Sequence, residues 1–189
     1  MRATELEIRT PPGWVCWTPG LGQGVPAQMA AETKGADANE VAAAISSLDE
    51  MAVADKSVEG CGLWFPEITQ HRLTATLLVR TYESHEPPEE RVAEYLKLTQ
   101  QPPPMPGCII SHYDVLDSRV DLGPLIRHVL LHANKQGKMI WLTRYTVFSQ
   151  TRPVAVEFDF NLFYMRLSDE LHESTDLLVA SATHGEEEK

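Results

Sequence analysis

The sequence predicts an α+β fold, an antiparallel β-sheet of about six to seven strands that ends in a C-terminal meander and is flanked by helices, sandwich-like in α/β/α layers. Three observations predict it. Residues 124–164 hold three runs of period-2 hydrophobicity with short turns between them, Pro124–His132, Lys138–Phe148 and Val154–Asn161. In the last run Val154, Val156, Phe158 and Phe160 point one way, and Ala155, Glu157, Asp159 and Asn161 the other, as a strand with one wet face requires. Two further stretches, beginning near residues 38 and 88, carry apolar side chains at helical spacing. With 189 residues and 43% hydrophobic content the chain can bury one sizeable core and is short for two.

The elements follow in order. Thr4–Arg9 alternates and is read as a strand, broken at Pro11-Pro12-Gly13, with Trp14–Trp17 behind it as a second short strand or buried anchor. Pro19–Pro26 is a glycine-rich loop. Asp37 and Glu40 have the form of a capping box, and Val41, Ala44, Ile45, Leu48 and Ala52 recur behind it, which predicts a helix over 38–53. Leu63–Phe65 and Arg72–Tyr82 form a hairpin around a turn at 66–71. Pro87-Pro88-Glu89-Glu90 opens a helix with Val92, Tyr95, Leu96 and Thr99 as its stripe, ended by Pro102–Pro106. Cys108–Val115 reads as a strand and Leu116–Gly123 as the turn into the meander. Ser168 is expected to cap a last helix with Leu171, Thr175, Leu178 and Ala182 on one side. The expected domain spans 1–184, with 185–189 as a solvated acidic tail.

Bulk properties narrow the function. A formal charge of −11 and a pI near 5.0 repel phosphate backbones, so neither nucleic acid nor an anionic membrane surface is an expected partner. No apolar run approaches the roughly 20 residues that span a bilayer, and the first residues lack the apolar centre of a signal peptide; a cytoplasmic protein is expected. Cys16, Cys61 and Cys108 lie far apart, fit neither a disulfide framework nor a zinc pattern, and are expected to be buried thiols.

Candidate chemistry is sparse. His128 and His132 would share a zinc ion on a helix, but on a strand their rings stand about 13 Å apart and no single metal reaches both. Half-exposed sheet histidines are expected there. His112 and Asp114 lie two apart, a base and a carboxylate on one side of a strand, with no nucleophile-elbow serine to join them. His85 stands beside Glu83 and Glu86 at a strand–helix junction. Gly20, Gly22 and Gly24 lack the lysine of a phosphate-binding loop. Trp14, Trp17, Trp64 and Trp141, with Phe158 and Phe160, are most simply core residues; as the alternative, Trp14 and Trp17 follow a Pro-Pro-Gly turn near the surface and line a pocket or partner groove. The expectation is therefore no catalytic residue, no metal and no cofactor, with Trp14, Trp17, His112 and Asp114 as candidate binding residues.

Taken together, Ile8–Trp14 with its Pro-Pro-Gly-Trp turn, the strand and Pro-capped helix of Leu73–Leu98, the strand after the Pro-rich link, the meander, and a final helix ending in Asp176–Ser181 resemble the Mog1/PsbP/DcrB-like superfamily, including its LpqN-type actinobacterial relatives. The resemblance implies an antiparallel sheet between helices. It also implies an accessory role, to a GTPase, a photosystem or a cell envelope, without a shared catalytic motif. The chain departs from exported members in lacking an export signal, and its Ala-rich 38–53 helix is either an insertion or a variant of the first helix. The expected function is a non-enzymatic cytoplasmic interaction or accessory protein, bacterial and secretion-associated or immunity-type, whose unknown protein partner is basic. The alternatives are a module for a small hydrophobic ligand, enclosed by the sheet and the Trp14/Trp17 segment, and a hydrolase-like enzyme using His112, Asp114 or His85 as acid or base.

Overall fold

The computed structural model describes residues 6–22, 24–25, 38–66, 74–106, 108–133 and 137–185. In chain order the elements are β1 (Leu6–Glu7), β2 (Trp14–Trp17), α1 (Ala38–Ala54), β3 (Val58–Trp64), β4 (Ala75–Glu83), α2 (Pro88–Leu98), β5 (Ile109–Val120), β6 (Gly123–Ala133), β7 (Met139–Phe148), β8 (Val154–Leu162), a 3-10 turn (Met165–Leu167), α3 (Ser168–Ala180) and β9 (Thr183–His184). Seven strands form one antiparallel sheet in the order β2-β3-β4-β8-β7-β6-β5, and β1 pairs with β9.

The period-2 alternation divides this sheet into two faces. On the first, Leu77, Val79, Tyr145, Val147, Val156, Phe158 and Phe160 pack against Leu171, Leu178 and Val179 of α3. On the second, α1 lays Val41, Ile45, Leu48 and Ala52 on Val58, Cys61 and Leu63, while Val92, Tyr95 and Leu96 of α2 cover Ile126, Phe148 and Ala155. Helices thus cover both faces, the predicted sandwich. Two tryptophans of β2 serve opposite faces: Trp14 donates its Nε1–H to Ser174 on α3 at 2.8 Å, and Trp17 donates to Asp49 on α1 at 3.0 Å.

Several expectations are corrected. Strand β5 runs to Val120, so most of Leu116–Gly123 is strand and the turn shrinks to Asp121 and Leu122. Its polar run Asp117-Ser118-Arg119 suits an exposed edge strand as well as it suits a turn. The side of β8 read as wet is covered: Glu157 is 7% and Asp159 5% exposed. Trp14 and Trp17 are core residues, as their simplest reading has it, and not the near-surface pair of the alternative, since both are wedged between strands and a helix. His128 and His132 are buried too, because the face of β6 that carries them is covered throughout. Of the thiols expected inside, Cys61 is buried, Cys108 half-buried and Cys16 exposed. Ser168 makes no cap; the 3-10 turn Met165–Leu167 leads directly into the helix. Gly185, expected at the start of a solvated tail, is buried, and its carbonyl accepts from Arg152 Nη2 at 2.9 Å. Asp37, Leu73 and residues 186–189 lie outside the described residues, as does Thr4 of the first predicted strand.

Candidate functional site

Strand β5 ends the sheet, hydrogen-bonded on one side to β6 through eleven registered pairs from Ile109↔Ala133 to Val120↔Gly123. Its long alternation and Asp121-Leu122 turn make a hairpin that places its other side at the sheet margin. Two large apolar side chains are left in water there, Ile109 at 73% and Leu116 at 46% exposure. The amide N–H of Val115 donates to the carboxylate of Asp114 at 3.0 Å in an exposed position, so it points away from β6. The ladder repeats every second residue, which turns the amides of Asp117 and Arg119 outward as well.

Helix α2 supplies a wall along this margin. Its stripe packs Val92, Tyr95 and Leu96 on β6 and β7, and Thr99 closes it, donating its amide and its hydroxyl to the Tyr95 carbonyl at 3.0 and 2.7 Å. Tyr113 of β5 donates its hydroxyl to the Thr99 carbonyl at 2.6 Å and ties strand to helix end. Between them lies a groove of about 350 Å³ lined by Leu96, Thr99, Gln100, Tyr113, Asp114 and Val115. Its floor is apolar and aromatic. Its rim carries the Asp114 carboxylate and the negative, carbonyl end of the helix, both of which favour a cation.

Behind the groove, the second face holds a charge cluster between α1 and α2. Arg144 of β7 and Arg80 of β4 flank Asp159 and Glu157 of β8, which stand opposite them in register. Burial, helped by neighbouring Asp159 and opposed by the two arginines, pushes the Glu157 carboxyl up to about 7. His128, beside Arg144 across the β6–β7 ladder, is driven down to about 4 by burial and then by that guanidinium. The cluster holds β4, β7 and β8 together under the helices and leaves the groove to its side.

The structure separates the residues singled out in the sequence. Asp114 lies in the groove. His112 stacks on Trp141 with ring centroids 6.1 Å apart, on the face where Trp141 also meets His172 of α3. Trp14 and Trp17 sit in separate cores on opposite sheet faces and do not share a cavity. His85 lines another cleft, at the opposite end of α2. The Gly20 amide and Trp17 Nε1–H both donate to Oδ1 of Asp49, at 2.9 and 3.0 Å, so the glycine-rich loop closes on a carboxylate. Among the described residues no three metal-ligating side chains stand together, and no helix is long and apolar enough to cross a membrane. The sequence reading missed Tyr113, Thr99, Leu96 and Gln100 as a group, because only the fold brings the α2 end to β5.

No family model matches the chain, and no curated protein matches it in sequence. Among solved structures it is similar to LpqN of Mycobacterium tuberculosis, a protein involved in cell envelope biogenesis, with a TM-score of 0.55 and 11% identity over 96% of this chain and 83% of that one. It also aligns with the cyanobacterial PsbP of Synechocystis (TM-score 0.40, 10% identity, 97% and 95% covered) and with the Ran-binding protein Mog1p of Saccharomyces cerevisiae (0.43, 9%, 96% and 96%). The latter two superpose too loosely to carry an argument. The fold is that of LpqN, an α+β arrangement with an antiparallel sheet between helices, which is the fold the order of elements implied.

Proposed function

We propose that the protein is a non-enzymatic accessory factor that binds an extended, basic segment of a partner protein, adding it as a further strand to the outer edge of β5. The carrying observation is the groove between that edge and the end of α2, which joins outward-facing backbone amides, that of Val115 held by the Asp114 carboxylate, to an apolar floor and an anionic rim. Strand addition draws affinity from main-chain hydrogen bonds and specificity from pockets for alternate side chains. A lysine or arginine of the incoming segment takes the Asp114 carboxylate. The Val115 amide that this carboxylate now holds passes to a partner carbonyl, so one hydrogen bond is exchanged for another.

The net charge of −11 supports a basic partner. It also opposes a second copy of the chain as occupant, since Asp114, Asp117 and Asp121 would meet their own kind across the junction.

Selection from a random peptide library displayed on phage tests the reading. Wild-type protein is expected to enrich alternating apolar sequences that contain Lys or Arg. Asp117→Pro removes an outward amide and no ladder bond, so it should keep the fold and weaken the selected peptides about tenfold or more. Peptides that bind wild type and Asp117→Pro equally would overturn the proposal, as would a concentration-stable dimer that Asp117→Pro dissociates.

A further inference from the structure

The opposite end of α2 carries a second, differently charged cleft. Its walls are residues 84–87, which join β4 to α2, with Pro88, and residues 149–153, which turn β7 into β8; it is open to solvent and measures about 340 Å³. Arg91, in the first turns of α2, lines it while only 5% exposed. The guanidinium lies over the Phe148 ring at 5.5 Å and donates to the backbone carbonyls of Ser149 at 3.3 Å and, weakly, of Val154 at 3.5 Å. Its Nε–H is buried without an acceptor among the described residues. Two carbonyls thus meet five N–H donors; Glu86 and Glu89 attract the cation from a distance, but no carboxylate of the described residues is in ion-pair contact with it. Burying a cation in that state costs free energy unless something anionic joins it.

Two neighbours add to the same polarity. Arg152 comes from the facing turn, anchored through Nη2 to the Gly185 carbonyl at 2.9 Å. The cleft also opens at the N-terminal, positive end of an eleven-residue helix whose cap position is Pro87, with no side chain capping it. Glu86 in the wall, and Glu89 and Glu90 in the first turn of α2, oppose these groups and set a limit on ligand charge: they repel a dianion more than a monoanion.

We propose that this cleft binds a small organic acid through a single carboxylate, which the Arg91 guanidinium takes by the terminal N–H groups that the two carbonyls leave unfilled, with Arg152 at the mouth. A planar carboxylate matches the guanidinium fork, and the open cleft has room for a small molecule.

The test is NMR titration of the Arg91 Nε–H resonance, observable because the group is shielded from water, with sodium acetate against sodium chloride at equal ionic strength. Acetate is expected to move it saturably, and chloride is not. Arg91→Lys keeps the charge but loses the fork, and should weaken acetate binding, followed on the Thr151 and Glu86 amides, about tenfold. Arg152→Gln alters only the mouth, keeps the fold if the first variant does not, and should weaken binding severalfold. Absence of a saturable shift, or binding unchanged in both variants, overturns the site. Inorganic phosphate binding more tightly than acetate overturns the carboxylate assignment.

Discussion

Arg144 holds Asp159 with both arms of its guanidinium, Nε donating to Oδ1 at 2.6 Å and Nη2 to Oδ2 at 2.9 Å. The same Oδ2 accepts from Arg80 Nη1 at 2.5 Å, so one buried carboxylate joins strands β4, β7 and β8. Removing it leaves Arg144 with Glu157 alone, and Arg80 with Glu157 and the half-exposed Asp55. Asp159→Ala should therefore cost about 3 kcal/mol in urea unfolding, the scale for breaking a buried pair from one side. Asp55→Ala, at the solvent end of the Arg80 contact, should cost far less.

Two groups of this cluster titrate in opposite senses. Glu157 is raised to about 7, so between the ordinary carboxylate range and neutrality the folded chain holds a proton that the unfolded chain has released, and stability falls as pH rises. His128 is lowered to about 4, so below about pH 6.5 the unfolded chain gains a proton that the folded one refuses, and stability falls as pH drops. His172 and His184, lowered mainly by burial, act in the same sense as His128. His128→Gln should flatten the loss of stability on acidification from pH 6.5 to 4, by up to about 3 kcal/mol at the acid end. Glu157→Gln should remove the loss on raising the pH toward 7. Denaturant midpoints measured across pH 4–8 check both slopes.

The fold was largely legible because its signals are local. The alternation of Val156, Phe158 and Phe160 marked the meander, and the stripe of Val41, Ile45 and Leu48 marked α1. What was not legible depends on what lies opposite. Glu157 and Asp159 have the period of a wet face, and only Arg80 and Arg144, brought alongside from other strands, let that face be covered. In the same way Asp114 stood out as a carboxylate near His112, whereas its working neighbours, Thr99 and Gln100, arrive through the packing of α2.

Burial makes the tryptophans distinguishable in solution. Trp14, Trp17 and Trp64 are 6%, 7% and 3% exposed, while Trp141 is half-buried beside His112 and His172. Acrylamide should quench one minor component of the emission, and Trp141→Phe should abolish that component. Quenching that survives in Trp141→Phe would return Trp14 or Trp17 to the surface.

Gly22 is pressed against α1: a Cβ there would lie 2.6 Å from Cγ of Asp49. Gly22→Ala must displace the carboxylate that accepts from Gly20 and Trp17, leaving a buried indole N–H without its partner. A loss of about 2 kcal/mol in denaturant unfolding is expected, whereas Gly137→Ala, with open space around it, loses only through its positive φ of 76°.

The open edge of β5 is tested most directly by residue-resolved amide hydrogen exchange, first on the free protein and then with a selected basic peptide. In the free protein Asp117 and Arg119 should exchange fast while Leu116 and Ser118, bonded to β6, stay protected. With peptide bound, the Asp117 and Arg119 amides should become protected together with Val115. A bound peptide that leaves all three exchanging at their free rates would contradict strand addition at this edge.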